Sequence, residues 1–240
     1  MKLTKLILII LTLSMLLTGL VACDGGDTTD GTTAEDGTTS SNSNTGACDM
    51  AAVEAEIDSM RMDAFEETAD VTEYVKFTVK DYGEFVVRLR ADIAPITVAN
   101  FQKLVSEKFY DGLTFHRVVK GFMIQGGDPK GDGTGGSGTT IKGEFSQNGV
   151  KNELSHIMGV ISMARRSMPL DSATSQFFIC NADASRSLDG GYAGFGYVVA
   201  GLETVLMVSN VEVKYNAYGT EQSVPVETVT IEKVCFVNQK

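Results

Sequence analysis

The sequence predicts a mainly β domain, read as a closed antiparallel barrel with capped ends, preceded by an export signal, a flexible linker and a short helix. Three observations carry that prediction. Short apolar runs, several of them alternating, recur from Tyr74 to Val237 with Gly- and Asp-containing turns between them, as strands should. In the same region only two stretches have helical spacing, one opened by Pro95 and one around Leu202–Val208. Many short strands with two helices suit a barrel rather than alternating α/β layers. From Asp24 to about Ala47, by contrast, no large apolar residue occurs, so the folded part begins after it.

In chain order, residues 1–22 place Lys2 and Lys5 before the apolar run Leu6–Leu17. That is the layout of a secretory signal, and the run is short for a membrane span. Leu20-Val21-Ala22-Cys23 is similar to a bacterial lipobox. Read so, it makes Cys23 the mature N-terminus with diacylglycerol on its sulfur, lipid-anchored to the cell membrane at the extracytoplasmic face. The other reading is an ordinary cleaved signal with an incidental Cys. Residues 23–48 are rich in Gly, Thr, Ser, Asp and Asn and read as a tether, with a typical span on the order of 25–30 Å. Residues 49–70 hold a helical pattern to about Thr68, with Asp49 as N-cap and Met50, Val53, Ile57, Met60 and Ala64 on one stripe. The stripe suits either a solvated helix resting on the barrel or a helix that docks a partner.

The main domain covers 72–238. Tyr74–Lys80 and Phe85–Leu89 alternate around a turn at Asp81-Tyr82-Gly83. Pro95 opens a helix with Val98, Phe101, Leu104 and Val105 on one face. Further strands are expected at Phe122–Gln125, Ile157–Met163, Phe177–Cys180, Gly194–Val199 and Val229–Val237, with the second helix before the last.

Several functions are excluded by composition and motif. A net charge of -11 argues against nucleic acid as a partner, because phosphate binding needs clustered Lys and Arg. Two His and four Cys without a C-x-x-C pair give no zinc site, and neither metal nor cofactor is expected. Gly131-Asp132-Gly133-Thr134-Gly135-Gly136 satisfies G-x-G-x-x-G, but no helical period follows it, so nucleotide binding is unsupported. For a Ser-His-Asp hydrolase only His116 and His156 could act as base, and no G-x-S-x-G elbow is present. His116, beside Arg117, reads as a structural histidine tied to the backbone. A lipoprotein that captures a small solute would need a cluster of polar ligands, which the sequence lacks.

The run Phe-His-Arg-Val-Val-Lys-Gly-Phe-Met-Ile-Gln-Gly-Gly-Asp spans Phe115–Asp128. Alternation sends Phe122 and Ile124 to one strand face and Met123 and Gln125 to the other, and either pair suits a core. This run, together with Gly159–Ala164, Ser175–Cys180, Leu188-Asp189-Gly190 and Phe195-Gly196, resembles the cyclophilin-type peptidyl-prolyl isomerases over roughly Tyr74–Val237. The resemblance implies an eight-stranded closed barrel with a helix over each mouth. It implies a monomer that binds proline-containing segments of unfolded or exported proteins and speeds rotation of their X–Pro bonds. The alternative is a non-catalytic Pro-peptide-binding or chaperone module on the same fold.

That chemistry needs no nucleophile. An amide must twist through a barrier of about 18–20 kcal/mol as its resonance is lost. A donor beside the prolyl nitrogen binds the twisted state best, because this nitrogen gains a lone pair only there. By resemblance Arg117 is that donor, acting with Phe122 and Gln125, and its position between Phe115 and Val118 speaks against a mere surface salt bridge. The same resemblance implies that Phe122, Met123, Phe178 and Leu188 form the prolyl pocket and that Gln125 and Gln176 orient the peptide backbone. It implies a main-chain edge at Ala164 and Arg165, and it places Gly133 in a loop walling the groove. Phe177 alternates away from Phe178 into the core. Arg165 stands where many relatives carry Asn, Ser187 where some carry Trp, and Tyr192 where those carry His. The pocket is therefore expected to be open on one side, with weak inhibition by cyclosporin. The pairing of Cys48, Cys180 and Cys235 is left open.

Overall fold

The structure, a computed structural model, describes residues 48–240. The expected signal at 1–22, the lipidated Cys23 and all of the tether but Cys48 lie outside the described residues. The described chain opens with α1 (Met50–Glu56), capped as expected by Asp49, whose Oδ1 accepts from the N–H groups of Ala51 and Ala52 at 3.1 and 3.3 Å. The helical pattern does not continue to Thr68. The N–H groups of Asp58 and Met60 donate to the carbonyls of Val198 and Val199 at 3.1 and 2.9 Å. Pairing with the sheet has replaced the bonds a longer helix would make, and the chain enters a short strand, β1 (Phe65–Glu67). Met50, Val53, Ile57, Met60 and Ala64 nevertheless pack together against Val160, Tyr197 and Val199. The stripe is covered by the barrel and is not free for a partner.

The remaining elements are β2 (Tyr74–Val79), β3 (Gly83–Leu89), α2 (Pro95–Ser106), β4 (Arg117–Val119), β5 (Met123–Gly126), β6 (Val160–Met163), β7 (Phe177–Cys180), α3 (Ser185–Leu188), β8 (Gly194–Ala200), α4 (Leu202–Ser209), β9 (Val213–Tyr215), β10 (Gln222–Pro225) and β11 (Ile231–Gln239). One antiparallel sheet runs in the order β1-β11-β2-β3-β8-β6-β7-β5-β4, and β9 and β10 form a separate hairpin. The eight expected barrel strands are there, from β11 round to β4. The ninth is β1, which adds to the C-terminal end of β11 with Phe65 opposite Gln239.

The closure differs from expectation. No strand ladder joins β4 to β11. The two edges are tied by a single bridge, Thr114 opposite Thr230. Around it Ile231 N–H donates to Leu113 O at 2.7 Å, Phe115 N–H to Val229 O at 3.0 Å and Gly112 N–H to Ile231 O at 2.8 Å. Gly112 turns there with φ 80°, so only a few residues run alongside β11 before the chain leaves it.

Inside, Phe77, Phe85, Phe101, Tyr110, Phe115, Phe177 and Phe195 are buried in one aromatic core. Helix α2 closes one end of the β2–β3 hairpin, where Gln102 donates to Thr72 O at 2.9 Å. Helix α4 closes the other, where Thr204 Oγ1 donates to Glu84 O at 3.0 Å. The first turn of α2 has no side-chain cap from Ala94. The carboxylate of buried Glu144 serves instead, accepting from the N–H groups of Ile96 and Thr97 and from the Thr97 hydroxyl at 3.0, 2.7 and 2.7 Å. Cys48, Cys180 and Cys235 are free thiols.

Candidate active site

Strand pleating sorts the side chains of β4 to β7 into two layers. Val118, Ile124, Ile161, Phe177 and Ile179 point into the aromatic core. The other face carries Arg117 opposite Gln125, Gln125 opposite Phe178, and Met123 opposite Cys180. Phe122 breaks the alternation that would have sent it inward with Ile124. It sits in the β4–β5 turn behind Gly121 (φ 73°), with its N–H donating to Val119 O, and packs beside Met123.

On that face lies a cavity of about 310 Å³ lined by Arg117, Phe122, Met123, Gln125, Ala164, Arg165, Phe178, Leu188 and Tyr192. Nine of the eleven site residues expected within the domain therefore meet around one space. The other two, Gly133 and Gln176, line a neighbouring cavity of about 640 Å³ that shares Gln125, Ala164 and Arg165 with the first. A chain of amides joins the two: Gln125 Nε2 donates to Gln176 Oε1 at 2.9 Å, and Gln176 Nε2 donates to the carbonyls of Gly133 and Gly135 at 3.1 and 2.8 Å. The loop they hold is also braced by buried Asp128, which accepts from the N–H groups of Lys130, Asp132 and Gly133.

Arg117 is fixed from two sides. Nη1 faces the cavity, 3.1 Å from Gln125 Oε1 and 3.7 Å from Met123 Sδ. Nε and Nη2 donate to the two carboxylate oxygens of Glu221, each at 2.7 Å. The salt bridge that the sequence reading set aside is thus present, on the edge of the guanidinium turned away from Gln125. The Arg117 guanidinium holds the Glu221 carboxyl below the usual carboxylate range.

The wall formed by Arg165 is more than main chain. Its guanidinium lies 4.8 Å from the Phe145 ring centre and 4.9 Å from that of Tyr192, and Nε donates to Gly191 O at 2.8 Å. Tyr192 in turn meets Phe178 edge to face, with ring centres 5.6 Å apart. Ser187, on α3, is absent from the lining, and Tyr192 is part of it.

Beneath Phe178 the fold does assemble a serine, a histidine and an aspartate. His156 Nδ1 lies 2.7 Å from Asp189 Oδ1, and Nε2 lies 3.0 Å from Ser162 Oγ. With the carboxylate as acceptor, Nδ1 carries the proton and Nε2 accepts from the serine hydroxyl. Ser162 is 0% and His156 1% exposed, so no substrate reaches them. The His156 ring stacks under Phe178 at 6.0 Å and braces the pocket floor. Burial holds His156 below its ordinary pKa against the pull of Asp189. Both ring nitrogens of His116 are buried and neither makes a hydrogen bond of ordinary length and angle. Burial lowers its pKa, and the Thr114 backbone acts on the ring against that lowering.

A model of the cyclophilin type peptidyl-prolyl cis-trans isomerase family matches residues 74–235. The chain belongs to the cyclophilins. Peptidyl-prolyl cis-trans isomerase B of Bacillus subtilis is 45% identical over 137 residues, which are 57% of this chain and 91% of that one. A peptidyl-prolyl cis-trans isomerase of Acinetobacter baylyi is 42% identical over 161 residues, covering 63% of this chain and 79% of that one. A crystal structure of a Cryptosporidium parvum cyclophilin, determined in the presence of the dipeptide Ala-Pro, superposes with a TM-score of 0.60 at 29% identity. That match takes in 68% of this cyclophilin and 98% of the parasite chain. Two residues that shape the site were not singled out by motif, Glu221 and Asp128. Asp128 closes the signature run, where its short side chain beside a Gly pair was the available sign of a loop brace.

Proposed function

We propose that this cyclophilin speeds X–Pro rotation in exported proteins, working as a monomer held at the extracytoplasmic membrane face by lipid on Cys23. The prolyl ring enters the 310 Å³ cavity and rests on Phe122, Met123, Phe178 and Leu188. Gln125 and Gln176 orient the peptide backbone, and Ala164 and Arg165 offer the edge along which it runs. The carrying observation is Arg117 Nη1, set on the cavity wall between Gln125 Oε1 and Met123 Sδ while Glu221 holds the rest of the guanidinium. Arginine stays charged at every working pH. Directed at the prolyl nitrogen, it stabilises the twisted amide more than the planar one, and each 1.36 kcal/mol of that difference is about tenfold in rate. The parasite cyclophilin crystallised in the presence of Ala-Pro supports the choice of ligand.

The test is protease-coupled isomerisation of an X–Pro peptide, comparing the natural protein with Arg117→Ala. The expected result is a loss of more than about tenfold in kcat/KM with an unchanged circular dichroism spectrum. Equal rates would leave a proline-peptide binder without catalysis. For the anchor, metabolic labelling with a radioactive fatty acid should mark the natural chain in the membrane fraction and fail to mark Cys23→Ala. Label retained by the variant would remove the lipid from the account.

A further inference from the structure

The 640 Å³ cavity beside the prolyl pocket has a charge pattern at odds with the rest of the chain. The protein carries 31 acidic against 20 basic residues, yet the lining includes Lys130, Arg165 and Arg166 and no carboxylate. The acids nearest in sequence are engaged in their own loops. Asp128 accepts from three backbone N–H groups, Asp132 from the N–H and hydroxyl of Thr134, and Asp171 from Gly143 N–H and Asn148 Nδ2. None of the three cations makes an ion pair among the described residues. Arg165 is held by carbonyls and aromatic rings, which fix its position and leave its charge uncompensated. The cavity is continuous with the prolyl pocket through Gln125, Ala164 and Arg165, so a peptide with proline in one lays a nearby residue in the other.

We infer that this second cavity selects substrates with an aspartate or glutamate within a few residues of the proline. The inference rests on the isomerase reading above and names the substrate class of that site. A carboxylate entering the groove meets three unpaired cations within a partly enclosed space, where attraction is less screened than on open surface. Arg166 can present paired donors to both carboxylate oxygens, and Arg165, whose Nε and Nη1 are engaged with backbone carbonyls, adds Nη2 and its charge. A lysine in the same place meets like charge.

The experiment uses acetylated Ala-Pro peptides that differ only by Glu, Gln or Lys at each of several positions on either side of the proline. Turnover is compared between the natural protein and the double variant Lys130→Glu with Arg166→Glu. At one position the natural protein should favour Glu over Lys by about fivefold or more in kcat/KM, and the ratio should shrink toward one at about 0.5 M salt. The double variant should invert the ratio. Should it fail to fold, the single variant Arg166→Gln should reduce it. Equal turnover of Glu and Lys peptides at every position, with the Gln peptides turned over normally, overturns the inference and leaves the isomerase reading standing. No turnover of the Gln peptides overturns both.

Discussion

Arg117 donates in two directions, and the division sets what can be expected of its neighbours. Glu221 takes Nε and Nη2, which leaves Nη1 as the group facing the cavity. A guanidinium released from Glu221 would swing on a flexible stem, and the orientation needed at the twisted amide would have to be found anew in each turnover. Glu221→Ala should therefore lower kcat about fivefold with KM nearly unchanged, and Glu221→Asp should recover part of the loss. The pH profile gives a second readout. Because the Glu221 pKa is depressed, the ion pair is intact above the ordinary carboxylate range and is lost as pH falls through the folded value. The natural enzyme should show an acid limb there that Glu221→Gln lacks. Unchanged kcat in the Ala variant, with an identical acid limb in the Gln variant, would mean that Glu221 is an ordinary surface partner. Most of the site was legible because Arg117, Phe122, Met123 and Gln125 fall within one run, and Phe178 beside Gln176 in another. Glu221 was not legible because it stands 104 residues from its partner, on a hairpin whose strand Val213–Tyr215 has no buried residue to mark it.

Helix α2 shows at the next scale how local signals and distant contacts divide the work. Pro95 and the spacing of Val98, Phe101, Leu104 and Val105 suffice to place it, and all four apolar residues are buried. Its first turn could not be read locally, because Ala94 has no oxygen to offer and the cap is Glu144. The Thr97 N–H is buried and, left without that carboxylate, would cost about 1–3 kcal/mol, so the 141–152 segment is held against α2 by more than packing. Phe145, the next residue, then stacks on Arg165, which carries the consequence of the cap into the wall of the active cavity. The opposite case is α1, where a periodic stripe ran longer than the helix. The stripe was a true record of burial, but from Asp58 onward the sheet supplies the partners for the backbone, and periodicity cannot distinguish those two ways of satisfying an N–H. Strand β1 was missed for the same reason, since Phe65–Glu67 shows its strand character only beside β11.

Across the whole molecule, the two histidines and the sheet edge respond to acid in separate windows. His116 and His156 are both buried, and burial lowers the pKa of each. Unfolding returns them to about 6.5, so below that pH the unfolded chain binds more protons than the folded one and stability must fall. Above about pH 6.5 both imidazoles are neutral in either state and their contribution is complete. At lower pH a second loss begins at the edge of the sheet. Glu67 on β1 has its pKa lowered to about 2, first by the hydrogen bond from Lys233 on β11 and then by that from Lys76 on β2. A depressed carboxylate contributes above its unfolded pKa and loses that contribution as pH falls toward the folded value, so the Glu67 ion pairs, which add modestly to the backbone ladder between β1 and β11, are lost only in strong acid. Urea unfolding followed from about pH 7.5 to about pH 5 should show stability falling below about 6.5, with a shallower slope in His116→Gln and in His156→Gln. The His156 variant should in addition lose isomerase activity, because its ring stacks on Phe178, whereas His116 is not among the residues that line the prolyl pocket. A flat profile over that range in the natural protein would mean that neither ring is kept neutral by the fold. Stability that rose on mild acidification would instead make the brace beneath Phe178 an imidazolium paired with Asp189.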